Sequence, residues 1–128
     1  MFRIWKDFSF EAAHRLNGLP GGHKCARVHG HSYTATVELA SLGVDEHGFV
    51  ADFVELDPLK RYISTSLDHR DLNEVLGFQP SCELIAHHLY EWCRRHLPPS
   101  ACGLVAAVRV SETAATCAEY RPGEAGPP

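Results

Sequence analysis

The 128-residue sequence lacks several features that would assign it to a broad class of proteins. It has no long apolar run, so we expect no membrane-spanning segment. Its first ten residues lack the charged and then apolar pattern of a secretory signal, and we expect none. The formal net charge of −4 lacks the basic excess that a phosphate backbone attracts, which argues against general nucleic-acid binding. No GxGxxG segment occurs, so we expect no nicotinamide cofactor.

The cysteines do not form a disulfide framework, because there are five of them and their spacings show no pairing pattern. This usage predicts free thiols in a reducing compartment, and we expect the cytoplasm. Histidine, in contrast, is abundant, with nine residues. That abundance favours a metal site or proton transfer, although the count alone establishes neither.

Hydrophobic periodicity predicts one α+β domain. Alternating apolar and polar residues predict a four-stranded, mainly antiparallel sheet, with strands over residues 2–13, 31–40, 104–111 and 117–121. Apolar residues at helical spacing predict two helices on one face of that sheet, over 53–67 and 81–97, the second capped by Ser81. The apolar face of the second helix would hold Leu84, Ile85, His88, Leu89 and Trp92. We expect the domain to span residues 1–121 and the tail 122–128 to be disordered.

Two histidines separated by one residue, His29 and His31, open the second predicted strand. In an extended chain such residues point to the same side, so both imidazoles can face one point. His14 ends the first predicted strand and can reach that point if the two strands pair. Three imidazoles with one open position are typical of catalytic zinc, whereas structural zinc usually has four protein ligands. The three residues together favour a metal site over surface or turn histidines.

Cys25 lies in the loop before this strand, and its spacing leaves two roles open. It could be a fourth metal ligand, or a reactive thiol beside the metal, since Lys24, Arg27 and a zinc ion would all favour the thiolate. An inert packing role suits the other cysteines better: Cys82, Cys93, Cys102 and Cys117.

Two other polar elements are ambiguous from spacing alone. Asp68 and His69 are neighbours at the end of a predicted helix, where a loop could let the carboxylate orient the imidazole for acid–base work. Glu112 ends an apolar strand and could accept paired N–H donors from a guanidine-like ring. Without further information, surface charges are the simpler interpretation of both.

The motifs in combination resemble the 6-pyruvoyl-tetrahydropterin synthase superfamily, from about Phe8 to Tyr120. In chain order they are FEAAHRL, GHKCARVHGHSY, the Asp52-Phe53 pair, LDHRDLN, PSCE and VSET. The short spacing between the cysteine and HGH resembles the bacterial branch, the 6-carboxytetrahydropterin synthases of queuosine biosynthesis. The resemblance implies the tunnelling fold, in which the sheets of several subunits join into a barrel. It also implies a homohexamer of two stacked trimers.

The resemblance further implies roles for individual residues. The implied zinc ligands are His14, His29 and His31. The implied catalytic residues are Cys25 as the base, with Asp68 and His69 as its proton-handling partners. The implied substrate-binding residues are Glu112, Glu83 and Ser81. Ser81 stands where the family has threonine, which keeps the hydroxyl but leaves its exact contact open.

The implied substrate is 7,8-dihydroneopterin triphosphate, a small molecule that a carbon–carbon lyase would convert to 6-carboxytetrahydropterin, acetaldehyde and triphosphate. Two alternatives stay open: a pyruvoyl-type triphosphate lyase acting on the same substrate, and a zinc-stabilised binding module without turnover, with Cys25 as fourth ligand. We also expect the triphosphate to meet cationic residues of the loop, although no motif supports this: Arg15, His23, Lys24 and Arg27.

Overall fold

A computed structural model describes residues 1–123, so most of the predicted tail, residues 124–128, lies outside the described residues. The strands are β1 (Phe2–His14), β2 (His29–Ser41), β3 (Arg70–Asp71), β4 (Val105–Thr113) and β5 (Thr116–Tyr120). The α-helices are α1 (Asp57–Tyr62), α2 (Leu72–Val75), α3 (Cys82–His96) and α4 (Pro99–Cys102). These elements form the predicted α+β architecture, with all five strands in one sheet of order β3-β1-β2-β4-β5.

The sheet has one strand more than predicted. Four strands pair antiparallel as expected, but β3 runs parallel to β1 and pairs with it only at Ala12 and Ala13. A two-residue strand is too short to produce an alternating pattern, which is why periodicity does not reveal it. β1 matches its predicted bounds to within one residue, whereas β2 extends beyond its predicted bounds at both ends, and the ladder between them continues until His14 pairs with His29.

The predicted helix over 53–67 is one continuous helical segment of three kinds. A 3₁₀ turn at Phe53–Leu56 leads into α1, and a π-helical turn at Ile63–Leu67 ends the segment. α3 begins as predicted, because the Ser81 side chain accepts the Leu84 N–H at 3.3 Å. The four-residue helices α2 and α4 were not predicted. Within residues 1–123, no helix has the length and apolar character needed to cross a bilayer.

The core lies between the helices and one face of the sheet. Alternate residues of β1 and β2 are buried there, among them Phe8, Phe10, Tyr33 and Val37. α3 packs against β4 and β5 and adds a stripe of buried side chains to the same core: Ile85, Ala86, Leu89, Tyr90 and Cys93. Full burial of each large apolar side chain contributes roughly 1.5–3 kcal/mol. Leu84, which the helical spacing assigned to this stripe, is 41% exposed instead.

The opposite face of the sheet is polar, and it buries one carboxylate. The Glu38 side chain accepts two hydrogen bonds from Arg121, at 2.7 and 3.0 Å, and one from the Trp5 indole at 3.1 Å. Hydrogen bonding by Arg121 is the main cause that lowers the pKa of Glu38, against the opposing effect of burial. The ion pair between Glu38 and Arg121 therefore lies on the polar face, in the middle of the sheet. The candidate site lies on the other face, which the helices cover.

Candidate metal centre and active site

The end of the β1–β2 ladder brings His14, His29 and His31 together. His14 and His29 are direct partners in the ladder, and His31 lies two residues further along β2 on the same face. One ring nitrogen from each histidine lies within 4.8 Å of the others, and the ring centroids are 4.6, 4.7 and 5.1 Å apart. Over residues 1–123, these three form the only group of three or more His, Cys, Asp or Glu ligand atoms this close together.

Backbone carbonyl groups fix the orientation of two of these rings. His14 Nδ1 lies 2.7 Å from the Pro80 oxygen, and His29 Nδ1 lies 2.6 Å from the Arg27 oxygen. A carbonyl oxygen only accepts, so each Nδ1 carries the proton and each neutral ring presents a lone pair at Nε2. The two Nε2 atoms are 3.0 Å apart, where two lone pairs repel unless a cation or a proton lies between them. This arrangement fits a metal ion, because metal-binding histidines typically donate their other N–H in this way.

His31 completes the trio with a buried nitrogen that is free to bind. Its Nε2 makes no hydrogen bond, although the Glu112 Oε2 atom lies 3.2 Å away, because the two are not aligned for one. Burial is the largest cause that lowers the pKa of His31. The neighbouring rings of His14 and His29 lower this pKa further, whereas the charge of Glu112 raises it. The neutral imidazole is therefore favoured, and it is the neutral form that binds metal. Three imidazole nitrogens suit Zn²⁺ as a ligand set.

Glu112 lies beside the trio, near the end of β4. Its Oε1 atom accepts a hydrogen bond from the Cys82 thiol at 3.2 Å and lies 3.8 Å from His14 Nε2. The neighbouring Tyr33 hydroxyl is buried and has no hydrogen-bond partner. Burial is the main cause that raises the pKa of Tyr33, and the charges of Glu112 and Cys82 raise it further. A buried donor without a partner in this place indicates unfilled hydrogen-bonding capacity.

Two of the predicted substrate-binding residues share a cleft. Glu112 and Glu83 both line an open cleft of about 480 Å³, together with Cys82. Glu83 stands in the first turn of α3, directly after Cys82, and is exposed. The hydroxyl of Ser81, the third predicted residue, caps α3 through the Leu84 N–H. The three residues therefore lie around the N-terminus of α3, with the hydroxyl of Ser81 already engaged.

Asp68 and His69 form a dyad that the backbone of β1 holds in place. The Asp68 carboxylate accepts the Glu11 N–H at 2.8 Å, and its other oxygen lies 3.0 Å from His69 Nδ1. The His69 N–H in turn donates to the Glu11 carbonyl. The Glu11 N–H is the main cause that lowers the pKa of Asp68, followed by the hydrogen bond with His69, so the carboxylate stays ionised. The loop thus achieves the pairing that adjacent positions on a regular element do not allow.

The backbone of His69 is strained. Its φ of 58° is the only positive value at a non-glycine residue among residues 1–123. Such a conformation costs on the order of 1 kcal/mol or more and is often found at functional sites. It presents a ring that is 79% exposed, and His69 lines an open cleft of about 530 Å³ that His31 also lines. The dyad is therefore accessible to a ligand in that cleft.

Cys25 lies in a short 3₁₀ turn, Lys24–Ala26, and is half-buried. Its sulfur does not belong to the group of ligand atoms that the histidines form. Its backbone carbonyl accepts the Leu16 N–H at 2.8 Å, which folds the two ends of the 15–28 loop against each other. The geometry within one chain therefore gives a trio of histidines rather than a shell of three histidines and a thiolate.

Two amide side chains that sequence reasoning missed hold this loop. Asn73 accepts the Arg15 N–H at 2.8 Å and donates to the Arg15 carbonyl at 3.0 Å. Gln79 makes the same reciprocal pair with the backbone of Asn17, at 2.8 and 3.2 Å. Each amide imitates a strand neighbour and satisfies backbone groups that follow β1. Asn73 belongs to the LDHRDLN motif, so the motif itself was a signal, whereas Gln79 had none.

Cys82 was also misjudged, because its position on a helix favoured inert packing. Its thiol instead donates to Glu112, and burial, followed by that hydrogen bond, raises the pKa of Cys82 so that the proton stays on sulfur. The contact joins residues 30 positions apart in the chain, and no local pattern announces it.

The sequence matches known proteins over nearly its whole length. Residues 3–123 match the model of a family described as 6-pyruvoyl tetrahydropterin synthase. A 6-carboxy-5,6,7,8-tetrahydropterin synthase from Synechocystis sp. is 39% identical, over 94% of this chain and 93% of its own. The protein of the same name from Bacillus subtilis is 30% identical, over 98% and 88%. A dihydroneopterin monophosphate aldolase from Pyrococcus furiosus is 32% identical, over 75% and 78%.

A solved structure from the same family shares the fold. The solved structure of 6-pyruvoyl tetrahydropterin synthase from Caenorhabditis elegans superposes with a TM-score of 0.82 at 25% identity, covering 95% of this chain and 96% of that one. This likeness confirms the predicted tunnelling fold, with a sheet of five strands instead of four. Because the family match extends over nearly the whole chain, this protein belongs to the 6-pyruvoyl tetrahydropterin synthase family.

Proposed function

We propose that this protein is a zinc-dependent 6-carboxy-5,6,7,8-tetrahydropterin synthase of queuosine biosynthesis. The observation that carries the proposal is the proximity of the candidate metal ligands to the candidate pterin anchor, with Glu112 Oε2 3.2 Å from His31 Nε2. A pterin held at Glu112 would have its side chain within reach of the histidines. The names of the relatives from Synechocystis and Bacillus subtilis support the same activity.

The proposed reaction consumes 7,8-dihydroneopterin triphosphate and one water. The three-carbon side chain loses its triphosphate, and the bond between its first and second carbons breaks. The first carbon becomes the 6-carboxylate, with its second oxygen from water, and the other two carbons leave as acetaldehyde. Hydrogens move between carbons while no external oxidant or reductant takes part, so proton transfer has to be the main task of the protein.

The proposed metal site consists of His14, His29 and His31. When bound there, zinc supplies a Lewis acid that polarises a side-chain hydroxyl of the substrate and makes the neighbouring C–H proton easier to remove. The protein fixes the ligands in advance, because the carbonyls of Pro80 and Arg27 set the tautomer of two rings.

The proposed proton transfers involve two groups of different acidity. Cys25 takes a proton from carbon as the thiolate. His69 exchanges a proton with the substrate, and the ionised Asp68 orients the ring and stabilises its charged form through the 3.0 Å contact. Glu112 accepts two N–H donors from the guanidine-like edge of the pterin, a bidentate arrangement that a carboxylate suits. Glu83 and Ser81 flank that ring at the start of α3.

The proposed assembly is the homohexamer of the family. The outer edge of β1 supports it, because within residues 1–123 only Ala12 and Ala13 of that edge pair with another strand. Long unpaired edges favour pairing with another chain. β5 forms the opposite edge of the sheet, so joining β1 of one chain to β5 of the next would close a ring. Analytical ultracentrifugation tests this assembly, and a monomer at micromolar concentration would contradict it.

Three alternative functions can be distinguished by the products that form, or by their absence. The Caenorhabditis elegans structure favours a pyruvoyl-type synthase, and the Pyrococcus furiosus relative favours an aldolase. A binding module without turnover is disfavoured, because it needs Cys25 as a fourth ligand and the sulfur lies outside the histidine group.

The decisive experiment incubates the zinc-loaded protein with 7,8-dihydroneopterin triphosphate and identifies the products by mass spectrometry. We expect equal amounts of 6-carboxytetrahydropterin and acetaldehyde. Loss of triphosphate with all three side-chain carbons retained would indicate the pyruvoyl-type enzyme instead. A pterin that keeps one side-chain carbon as an alcohol would indicate aldol cleavage, and an unchanged substrate would support the binding module.

A further inference from the structure

Glu112 has few partners to fix its direction. Its two oxygens lie 3.2 Å from His31 Nε2 and 3.8 Å from His14 Nε2, but neither contact is a hydrogen bond. His31 Nε2 has no hydrogen-bond partner, and His14 carries its proton on Nδ1. The Cys82 thiol, at 3.2 Å from Oε1, is the one side chain among residues 1–123 with a hydrogen bond to this carboxylate. The orientation of Glu112 therefore depends on Cys82.

The thiol is suited to this task because it keeps its proton. Burial, the hydrogen bond to Glu112 and the charge of Glu83 all raise the pKa of Cys82, so at neutral pH the sulfur is a donor and not a competing anion. A protonated thiol has a single hydrogen to donate, and Oε1 of Glu112 accepts it.

The backbone around Cys82 is fixed on both sides. The preceding Ser81 caps α3, and the Pro80 carbonyl accepts the N–H of the His14 ring at 2.7 Å. The short segment Pro80–Cys82 thus contacts a candidate metal ligand through its first residue and Glu112 through its last. The unpartnered Tyr33 hydroxyl is buried on the same side of the sheet and shows that hydrogen-bonding capacity next to Glu112 is still unfilled.

We propose that Cys82 is a positioning residue whose thiol holds the Glu112 carboxylate in the direction that receives the pterin ring. This inference deepens the proposed function and rests on it, because it assigns to Glu112 the role of pterin anchor. Without the thiol, the carboxylate can turn towards His31 and His14, and fewer molecules present both oxygens to the ring. The effect belongs to binding, so it should change KM and leave kcat nearly constant.

The test uses the full-length, zinc-loaded protein and neopterin as the probe, with binding followed by pterin fluorescence. We expect Cys82→Ala to weaken neopterin binding and raise KM about fivefold, the effect of one hydrogen bond of roughly 1 kcal/mol. Cys82→Ser keeps a donor and should restore most of the affinity. Cys102→Ala, a half-buried cysteine on α4, is the matched control and should bind neopterin like the unmodified protein.

A double-mutant cycle with Glu112→Gln separates positioning from a general effect on the fold. If Cys82 acts through Glu112, Cys82→Ala should weaken binding no further once Glu112 has been replaced. Additive losses would overturn the proposal. Cys82→Val, which lacks a donor but preserves apolar volume, replaces Cys82→Ala if the smaller side chain lowers the melting temperature.

The outcomes distinguish this inference from the proposed function. If Glu112→Gln weakens neopterin binding while Cys82→Ala and Cys82→Val do not, the positioning role is wrong and the anchor role stands. If Glu112→Gln itself binds neopterin normally, the anchor role in the proposed function is wrong and the positioning role is overturned with it.

Discussion

The imidazoles of His14 and His29 meet nitrogen to nitrogen, with their Nε2 atoms 3.0 Å apart. Each ring already donates its Nδ1 proton to a backbone carbonyl, so neither can readily relieve the contact by changing tautomer. A cation between the two lone pairs turns this repulsion into attraction, and His31 offers a third nitrogen beside them.

Removal of one of these nitrogens should abolish tight zinc binding. We expect His29→Ala to weaken zinc affinity by more than roughly 100-fold, since changes even to groups behind the ligands typically cost 10–100-fold. Competition with a chromophoric chelator measures the affinity. His47→Ala changes an exposed histidine in a turn and should have no effect. Equal zinc affinities for the two variants would contradict the assignment of the site.

Replacement of Cys25 should separate metal binding from turnover. Because the sulfur lies outside the histidine group, we expect Cys25→Ala to keep one zinc per chain and to lose at least about 100-fold in kcat, the scale of general base catalysis. Metal analysis and product formation are measured on the same sample. Loss of zinc together with the fold would instead support a structural site with a thiolate ligand.

The exposed cations of the 15–28 loop should contribute to triphosphate binding. We expect Lys24→Ala and Arg27→Ala each to raise KM for 7,8-dihydroneopterin triphosphate by roughly threefold to tenfold, since hydrogen bonds between charged groups are stronger than neutral ones. The effect should shrink at high ionic strength, because exposed charges are screened. Lys60→Ala, an exposed lysine on α1, is the control. Unchanged KM values in both loop variants would exclude this role.

A half-buried histidine outside the site, His88, should make stability depend on pH. Burial is the main cause that lowers the pKa of His88, and the charges of Arg95 and His87 lower it further. Nε2 of His88 forms a 2.6 Å hydrogen bond with the Tyr62 hydroxyl. As the pH falls below the ordinary imidazole pKa of about 6.5, the unfolded chain takes up the proton first, so the free energy of unfolding decreases. Above that pH the contribution is fully present.

Urea unfolding of the zinc-free protein at about pH 7.5 and about pH 5 measures this dependence, and His88→Asn is the matched variant. We expect His88→Asn to be less stable at the higher pH, by about 1 kcal/mol for the lost hydrogen bond. We also expect a smaller loss of stability in His88→Asn than in the unmodified protein on acidification. The other histidines contribute equally to both proteins, so identical pH dependence would show that His88 does not titrate in this range.

Much of the fold could be predicted because it depends on periodic patterns. Alternation over β2 and helical spacing over α3 each involve many residues, and the packing of Tyr33 and Leu89 follows directly from them. The exposure of Leu84 could not be foreseen, because it lies at the margin of the apolar face, about 100° around the helix from Ile85, and the packing of the helix on the sheet decides how wide a face is covered. The two-residue β3 has no pattern of its own.

The candidate site, like the fold, could be predicted only in part from the sequence. Two histidines at i and i+2 on a strand predict convergence, and the pairing of β1 with β2 then brings in His14. The groups that orient them could not be predicted, because the carbonyl of Pro80 has no residue-specific signature and lies 66 positions from His14. The contact between Cys82 and Glu112 likewise depends on how α3 packs against β4.

The ion pair between Glu38 and Arg121 sets a practical limit on how far the chain can be shortened. Arg121 follows the last strand, yet it is the main partner of a carboxylate that is only 2% exposed in the centre of the sheet. A version ending at Tyr120 would remove both Arg121 hydrogen bonds and leave the carboxylate with the Trp5 indole at 3.1 Å and the more distant Arg109 at 3.7 Å. This loss should destabilise the fold, because a buried charge would lose its main partner. Affinity tags and fusion partners therefore belong beyond Gly123, where they leave this clamp intact.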